Sequence, residues 1–256
     1  MRARRRHTAS AHTGLMDQNA FASAPTAGSG PGPITPDGCA VDLYTAVPPR
    51  GEPELVHAAV PAGAAVLELG CGAGRISTPL ARLGHRVVGV DESAEMLERC
   101  VGIRTVRASI QSLRLPERFP VVLLPSHLIN AADQAVRDAF LRTCREHVEE
   151  AGMVVVQRHR RGWVDEAADA VHDDGALRSS LRVLDRPAPG LLHGRMTYEL
   201  ADSVWEHEFT ARDVDDAALP GVLARADLRL DRVLTDDGAW FVAVPAEQPR
   251  DRGSRG

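Results

Sequence analysis

Glu68, Gly70, Gly72 and Gly74 fall at alternate positions, with Cys71 between the first two glycines. They close an apolar run, Ala65-Val66-Leu67-Glu68-Leu69, that has the make-up of a buried strand. A second apolar run, Val87-Val88-Gly89-Val90, ends in Asp91, seventeen positions beyond Gly74. Glycines between a strand and a helix let the chain bend sharply and let a ligand touch backbone. A carboxylate at the end of the next strand can accept hydrogen bonds from both hydroxyls of a ribose. The two segments together describe a site for a nucleotide-type cofactor.

The turn itself narrows the cofactor. A dinucleotide fingerprint places glycines as G-x-G-x-x-G around a pyrophosphate. Here Arg75 stands in the place of the third glycine, and an acid, Glu68, precedes the first glycine by two residues. This E-x-G-x-G-x-G pattern resembles the first motif of the class I S-adenosylmethionine-dependent methyltransferases. The stretch Asp91-Glu92-Ser93-Ala94-Glu95-Met96-Leu97 is also similar to the segment that follows that family's ribose-binding acid. The resemblance covers roughly 40–245 and is specific in 65–97. It implies S-adenosyl-L-methionine as cofactor. By the same resemblance Gly70, Cys71, Gly72 and Gly74 form the turn, Glu68 lies on the ammonium side and Asp91 holds the ribose. Glu92 and Met96 would line the adenine. Ser109 stands where the family often has an acid near the adenine amino group, so its hydroxyl or the Ile110 backbone would serve instead. Tyr44 resembles a tyrosine that covers the cofactor in several small-molecule methyltransferases.

Methyl transfer from a sulfonium needs alignment and exclusion of water more than acid–base chemistry. Two histidines are nonetheless placed for it. His127, in Pro125-Ser126-His127-Leu128-Ile129-Asn130, follows the run 121–124. It reads as a base, as a contact to the cofactor's methionyl end, or as a helix cap. His159, in Gln157-Arg158-His159-Arg160-Arg161, follows the run 153–156. Its three arginines could meet an acidic substrate group or form a solvated loop. His207, beside Trp205 and Phe209, reads as a pocket or core residue. The N-P-P-Y-type motif of nucleobase and amide methyltransferases is missing.

The elements that must position these groups follow from periodicity. Strands are expected over 65–69, 86–90, 103–106, 121–124 and 153–156. Helices are expected over 53–60, 74–84, 93–100 (Ser93 as N-cap) and 131–149 (Val136, Phe140, Cys144 and Val148 at spacing four). Segments 228–234 and 239–244, joined by Asp236-Asp237-Gly238, read as a hairpin. The expected fold is α/β: a seven-stranded Rossmann-like sheet, parallel except for one strand from that hairpin. Segments 195–201 and 204–210 alternate, and are read as an antiparallel ribbon within a lid-like insertion at about 160–212.

The expected organisation is a disordered leader over 1–38, one domain over 39–246 and a disordered tail over 247–256. Met16 is an alternative start. A formal charge of −5 offers no basic field for nucleic acid. No apolar run of about 18 residues suggests a membrane span. The four cysteines are scattered without C-x-x-C spacing, which predicts a reduced cytoplasmic protein without metal. All 30 basic residues are arginine, as in a GC-rich bacterial genome, so no lysine can form a Schiff base. The expected function is methylation of a small metabolite or modified peptide, at an amine nitrogen, in bacterial natural-product biosynthesis. The alternatives are a natural-product O-methyltransferase, an NAD(P)-dependent oxidoreductase, and an inactive cofactor-binding regulatory protein.

Overall fold

Alternate positions along the central strands bury into two different cores, one on each face of a sheet. Leu67, Leu69, Val122, Leu124, Val154 and Val156 enter one core. Val66, Val121, Leu123, Val155 and Val242 enter the other. A strand covered on both faces has no solvent side, which is why these segments read as unbroken apolar runs.

The structure, a computed structural model, describes residues 27–247. In chain order its elements are β1 (Ala27–Ser29), α1 (Val41–Ala46), α2 (Glu52–Ala59), β2 (Ala65–Leu69), α3 (Ser77–Arg82), β3 (Arg86–Asp91), α4 (Ala94–Leu97), β4 (Arg104–Arg107), β5 (Phe119–Leu124), α5 (Gln134–His147), β6 (Val148–Gln157), α6 (Trp163–Glu166), β7 (Ala170–Asp173), β8 (Leu177–Asp185), β9 (Leu191–Leu200), β10 (Ser203–Arg212), α7 (Leu219–Ala224), β11 (Leu228–Val233) and β12 (Trp240–Pro245). The main sheet has seven strands in the order β11-β12-β6-β5-β2-β3-β4. β12 runs antiparallel to β11 and β6, and every other adjacent pair is parallel. This is the expected Rossmann-like sheet with its one reversed strand. Chain order reverses between β5 and β2, and the loops leaving the carboxyl ends of such strands are where ligands settle.

The expected ribbon is present as β9 and β10, paired from Leu191↔Arg212 to Leu200↔Ser203. It belongs to a larger antiparallel sheet, β1-β10-β9-β8-β7. β7 and β8 escaped the sequence reading because β7 is exposed on both faces and carries no apolar alternation.

The leader boundary at 38 is corrected for residues 27–38. β1 pairs with β10, with Gly28 opposite His207. A Cβ on Gly28 would lie 2.0 Å from the Gly38 carbonyl oxygen, so only glycine permits this crossing of the chain. Trp205 Nε1 donates to the Pro31 carbonyl at 2.8 Å, and Cys39 N–H donates to Thr35 Oγ1 at 2.9 Å. Backbone pairing and glycine contact hold this segment, and neither leaves a hydrophobic period in the sequence. The rest of the expected leader, 1–26, and the tail beyond 247 lie outside the described residues.

Two helices start later than expected. α3 begins at Ser77 because Gly70, Gly72 and Gly74 all take positive φ and prolong the turn. α5 begins at Gln134, where the Asp133 side chain accepts the Ala135 N–H. Its buried stripe runs through Arg137, Leu141 and Cys144, and leaves Val136 and Phe140 only partly covered. Among the described residues no helix is long and apolar enough to cross a membrane.

Candidate active site

Two adjoining cavities open along the carboxyl ends of β2, β3, β5 and β6. The first, about 240 Å³, is lined by the β2–α3 turn, the end of β3, and residues from α1, the 33–40 segment and the second sheet. The second, about 620 Å³, lies between the β5 and β6 loops and the second sheet. Tyr44, Ser126, Leu128 and His207 line both.

The first cavity is built from the glycine turn. Gly70 and Cys71 N–H groups both donate to the Val90 carbonyl, at 2.8 and 2.9 Å, which fixes the turn against β3. Asp91 Oδ2 accepts the Gly72 N–H at 2.8 Å, and Oδ1 accepts the Ser93 N–H at 3.0 Å. Gly72 has φ +53°, and a Cβ there would meet nothing nearer than Met96 Sδ at 3.9 Å, so the bare backbone faces the cavity. Burial raises the Asp91 carboxyl above its usual range, against the lowering effect of those two N–H donors.

Glu68 is buried and accepts a hydrogen bond from Ser77 Oγ. Desolvation pushes its pKa up to about 8, against Ser77 and the Arg75 charge, which lower it. Asp37, Glu68 and Asp91 all line this cavity. Its guanidinium, Arg75, is paired with Glu52 at 2.6 Å. Three carboxyl groups around one small space suit a cationic ligand, as the sulfonium and ammonium of S-adenosylmethionine require. Cys71 is buried, and its contact with Cys100, then burial, hold its thiol well above its ordinary pKa. It fills space as a protonated thiol.

The second cavity is organised by stacked rings. His127 lies over His159 at 4.2 Å between centroids, 12° from parallel. His159 lies over Trp163 at 3.8 Å, 17° from parallel. Ser126 and His127 both have left-handed backbones, φ +58° and +59°. Each such residue costs on the order of 1–3 kcal/mol and persists only where its surroundings over-determine it. Ser126 N–H donates to Gln157 Oε1 at 2.8 Å, and the His127 carbonyl accepts the Asn130 N–H at 2.8 Å. Asn130 is a buried clamp: Oδ1 accepts the His159 N–H at 2.9 Å, and Nδ2 donates to the Arg212 carbonyl at 2.8 Å. It joins both histidine loops to the second sheet.

Burial, and then the Arg75 charge, lower the His127 pKa to about 4, against a bond to the Arg158 backbone. Burial and the neighbouring His127 lower His159 to about 2. Both rings are neutral at physiological pH. His127 Nδ1 is buried and has no hydrogen-bond partner among the described residues.

The structure brings Tyr44, Glu68, Gly70, Cys71, Gly72, Asp91 and Met96 together around the first cavity, and His127 and His159 around the second. Gly74 sits behind the turn, where a Cβ would come within 2.8 Å of Thr78 Oγ1. Glu92, Ser109 and Ile110 line neither cavity; the Ala108 N–H donates to the Asp91 carbonyl at 3.0 Å and sets that segment beside the β3 end. The arginines flanking His159 are not free for a substrate. Arg158 is buried and donates to the Gly238 and Val214 carbonyls and to Asp216. Arg161 pairs with Asp216, and Arg160 with Glu166. Sequence reasoning missed Thr35, Asp37, Asn130 and Trp163. Thr35, Asp37 and Asn130 lie between the strands and helices named above, and Trp163 opens the four-residue α6, so no period marks any of them as a lining residue. Among the described residues no group of three His, Cys, Asp or Glu is placed to hold a metal ion.

Residues 66–152 match a family model described as a methyltransferase domain. The ubiquinone biosynthesis O-methyltransferase of Bradyrhizobium diazoefficiens is 31% identical over 124 residues, 45% of this chain and 48% of that protein. The chain thus spans about half the length of the curated relatives it matches. Among solved structures, the CcbJ methyltransferase of Streptomyces caelestis superposes with a TM-score of 0.66 at 23% identity, over 79% of this chain and 98% of that one. A sugar N-methyltransferase of Streptoalloteichus superposes with a TM-score of 0.61 at 19% identity, over 94% of this chain and all of that one (100%). The fold they share is that of the class I S-adenosylmethionine-dependent methyltransferases.

Proposed function

Because the chain carries a methyltransferase domain on a class I methyltransferase fold, we propose that it transfers a methyl group from S-adenosyl-L-methionine to a small-molecule or peptide acceptor. The observation that carries this reading is the pairing of the Asp91 carboxylate with the Gly72 N–H beside a cavity holding two further carboxyl groups. Asp91 would receive the ribose, Glu68 and Asp37 would face the cationic methionyl end, and Met96 and Tyr44 would cover the ligand. Gly74 supports the turn from behind. Glu92, Ser109 and Ile110 remain assigned to the adenine edge, beside the β3 end.

When bound, the cofactor would supply an electrophilic methyl group to the acceptor's lone pair. The chain's part is positional. Ser126 stands where the two cavities meet, with His127 beside it, and residues of the second sheet, among them His207 and Phe209, line the wall of the second cavity. His127 lines the second cavity and would take the proton that the acceptor loses. His159, stacked behind it, fixes the ring plane.

We assign the acceptor atom to an amine nitrogen that arrives without its proton. No carboxylate lines the second cavity, so an ammonium has no counter-charge there. A hydroxyl oxygen is the second reading, since the curated relatives are O-methyltransferases. The setting proposed is bacterial natural-product chemistry in the cytoplasm, where the four unpaired cysteines stay reduced. We propose the domain arrangement of a catalytic body over 39–246 preceded by a strap at 27–38.

The test is incubation with S-adenosylmethionine carrying an isotopically labelled methyl group and a small-molecule extract of the source organism. Label in a small molecule, dependent on the protein, supports the reading. S-adenosylmethionine binding without any label transferred would leave a cofactor-binding scaffold in its place.

A further inference from the structure

The two cavities differ in charge. Asp37, Glu68 and Asp91 line the first, where a cationic ligand is suited. No carboxylate lines the second, and Arg50 is the single charged side chain in its lining. The three histidines there add no charge at neutral pH. Burial, before any other cause, holds His127, His159 and His207 below the ordinary imidazole pKa.

Arg50 has little within the protein to bind. Its backbone N–H donates to the Glu52 carboxylate, and that carboxylate also takes the Arg75 guanidinium. Among the described residues the one ion-pair partner of the Arg50 guanidinium is Asp174, whose Oδ2 stands 3.7 Å away, beyond hydrogen-bond length. Asp174 is engaged in its own turn, where Oδ1 accepts the Ala176 and Leu177 N–H groups at 3.0 and 2.8 Å. It lies outside the cavity lining. The Arg50 side chain is 54% exposed, which places it at the mouth of the cavity.

The charge is also felt inside. Burial, and then Cys39, raise the Tyr198 hydroxyl above its ordinary pKa, against the Arg50 charge and the Tyr44 hydroxyl, which lower it. Burial holds Tyr44 well above its ordinary pKa as well. Both phenols therefore keep their protons. Tyr198 lines the second cavity and Tyr44 lines both, so these side chains lead from Arg50 to the junction with the cofactor cavity.

Resting on the methyltransferase reading above, we propose that the acceptor is an anion, and that Arg50 binds its carboxylate or phosphate group at the mouth of the second cavity. The fork of guanidinium donors matches either oxyanion in two parallel hydrogen bonds. An anion meets no like charge in this lining, whereas an ammonium would meet Arg50 and no counter-charge. The two cavities then sort the two substrates: the cationic cofactor to the carboxyl-lined one, the anionic acceptor to the one that holds Arg50.

The test uses the full chain saturated with S-adenosylhomocysteine and four probes with the same alkyl chain: hexanoate, hexyl phosphate, hexanamide and hexylamine. Calorimetry at low ionic strength reads their affinities. At least one of the two anions is expected to bind no less than fivefold more tightly than hexanamide, and hexylamine more weakly than hexanamide. The tighter of the two anions identifies the group that Arg50 receives. Arg50→Gln should remove the preference for the anion, Arg50→Lys should keep part of it, and Asp174→Asn should increase it. All three variants should still bind S-adenosylhomocysteine. Equal affinities for the anions and the amide, tighter binding of hexylamine, no binding of either anion, or a preference that survives Arg50→Gln would each overturn the proposal. Failure to load S-adenosylhomocysteine at all would instead overturn the methyltransferase reading beneath it.

Discussion

The Gly72 N–H and the Asp91 carboxylate meet at 2.8 Å across nineteen residues of chain, so the glycine turn and the second strand form one unit. Asp91 also holds the Ser93 N–H that opens α4. Asp91→Ala removes an acceptor for both, and the acceptor proposed for the ribose hydroxyls. Hydrogen bonds to a charged group are each worth about 1.5–3 kcal/mol. Affinity for S-adenosylhomocysteine should fall at least tenfold, as read by equilibrium dialysis. An unchanged affinity would separate this carboxylate from the cofactor.

Glu68 should report the cofactor by its proton. Its pKa of about 8 leaves it mostly protonated at pH 7 in the free protein. An ammonium placed beside it would lower that pKa, so binding should release close to one proton per chain at pH 7. Calorimetry in buffers of different ionisation enthalpy measures that number, and Glu68→Gln should abolish the release. The same shift acts on stability. A carboxyl raised above its unfolded value contributes most below pH 4.5, and the contribution is lost as pH rises through about 8. The ligand-free protein should lose on the order of a few kcal/mol over that window from this group, and Glu68→Gln should flatten the loss.

The histidine loops should show the opposite slope. His127 and His159 are depressed to about 4 and about 2, below the ordinary 6.5. Their contribution is complete above pH 6.5 and is lost as pH falls through 4, because the unfolded chain takes up protons first. Thermal melts from pH 7 to pH 4 should therefore show a steep fall in Tm that His159→Gln reduces.

His127→Ala should affect turnover more than cofactor affinity. If its ring accepts the acceptor's proton, kcat should drop roughly 10²–10⁴-fold. The measurement pairs steady-state kinetics with cofactor calorimetry on the same variant. A normal kcat would reduce His127 to a structural cap. A large affinity loss with normal turnover would place it on the cofactor's methionyl end.

Gly74→Ala should destabilise the fold. Its φ is +80°, and the added Cβ would lie 2.8 Å from Thr78 Oγ1 and 3.1 Å from Cys100 Sγ. A cost of about 1–3 kcal/mol is expected, seen in urea as a lower midpoint with an unchanged m value.

The cofactor half of the site was legible because its signals are local. Glu68, the glycines and Asp91 lie in two short segments, and each residue type has a physical reason at its place. The main sheet was legible for a similar cause: strands buried on both faces are written as unbroken apolar runs. The acceptor half was not. Asn130 gains its meaning from the Arg212 carbonyl, 82 positions away, and Trp163 from rings in two other segments. The strap at 27–38 is held by backbone pairing and glycine packing, which composition does not record. The arginines around His159 stayed ambiguous for the converse reason. Arg158, Arg160 and Arg161 read either as a substrate contact or as a solvated loop, and their partners Asp216 and Glu166 became visible only in the folded chain.

The central claim is that the carboxyl-lined cavity takes S-adenosylmethionine, and titration calorimetry of the full chain tests it most directly. S-adenosylmethionine and S-adenosylhomocysteine should each bind at one site per chain, and NAD should give no measurable heat. Binding of NAD with no response to either sulfur ligand would contradict the account.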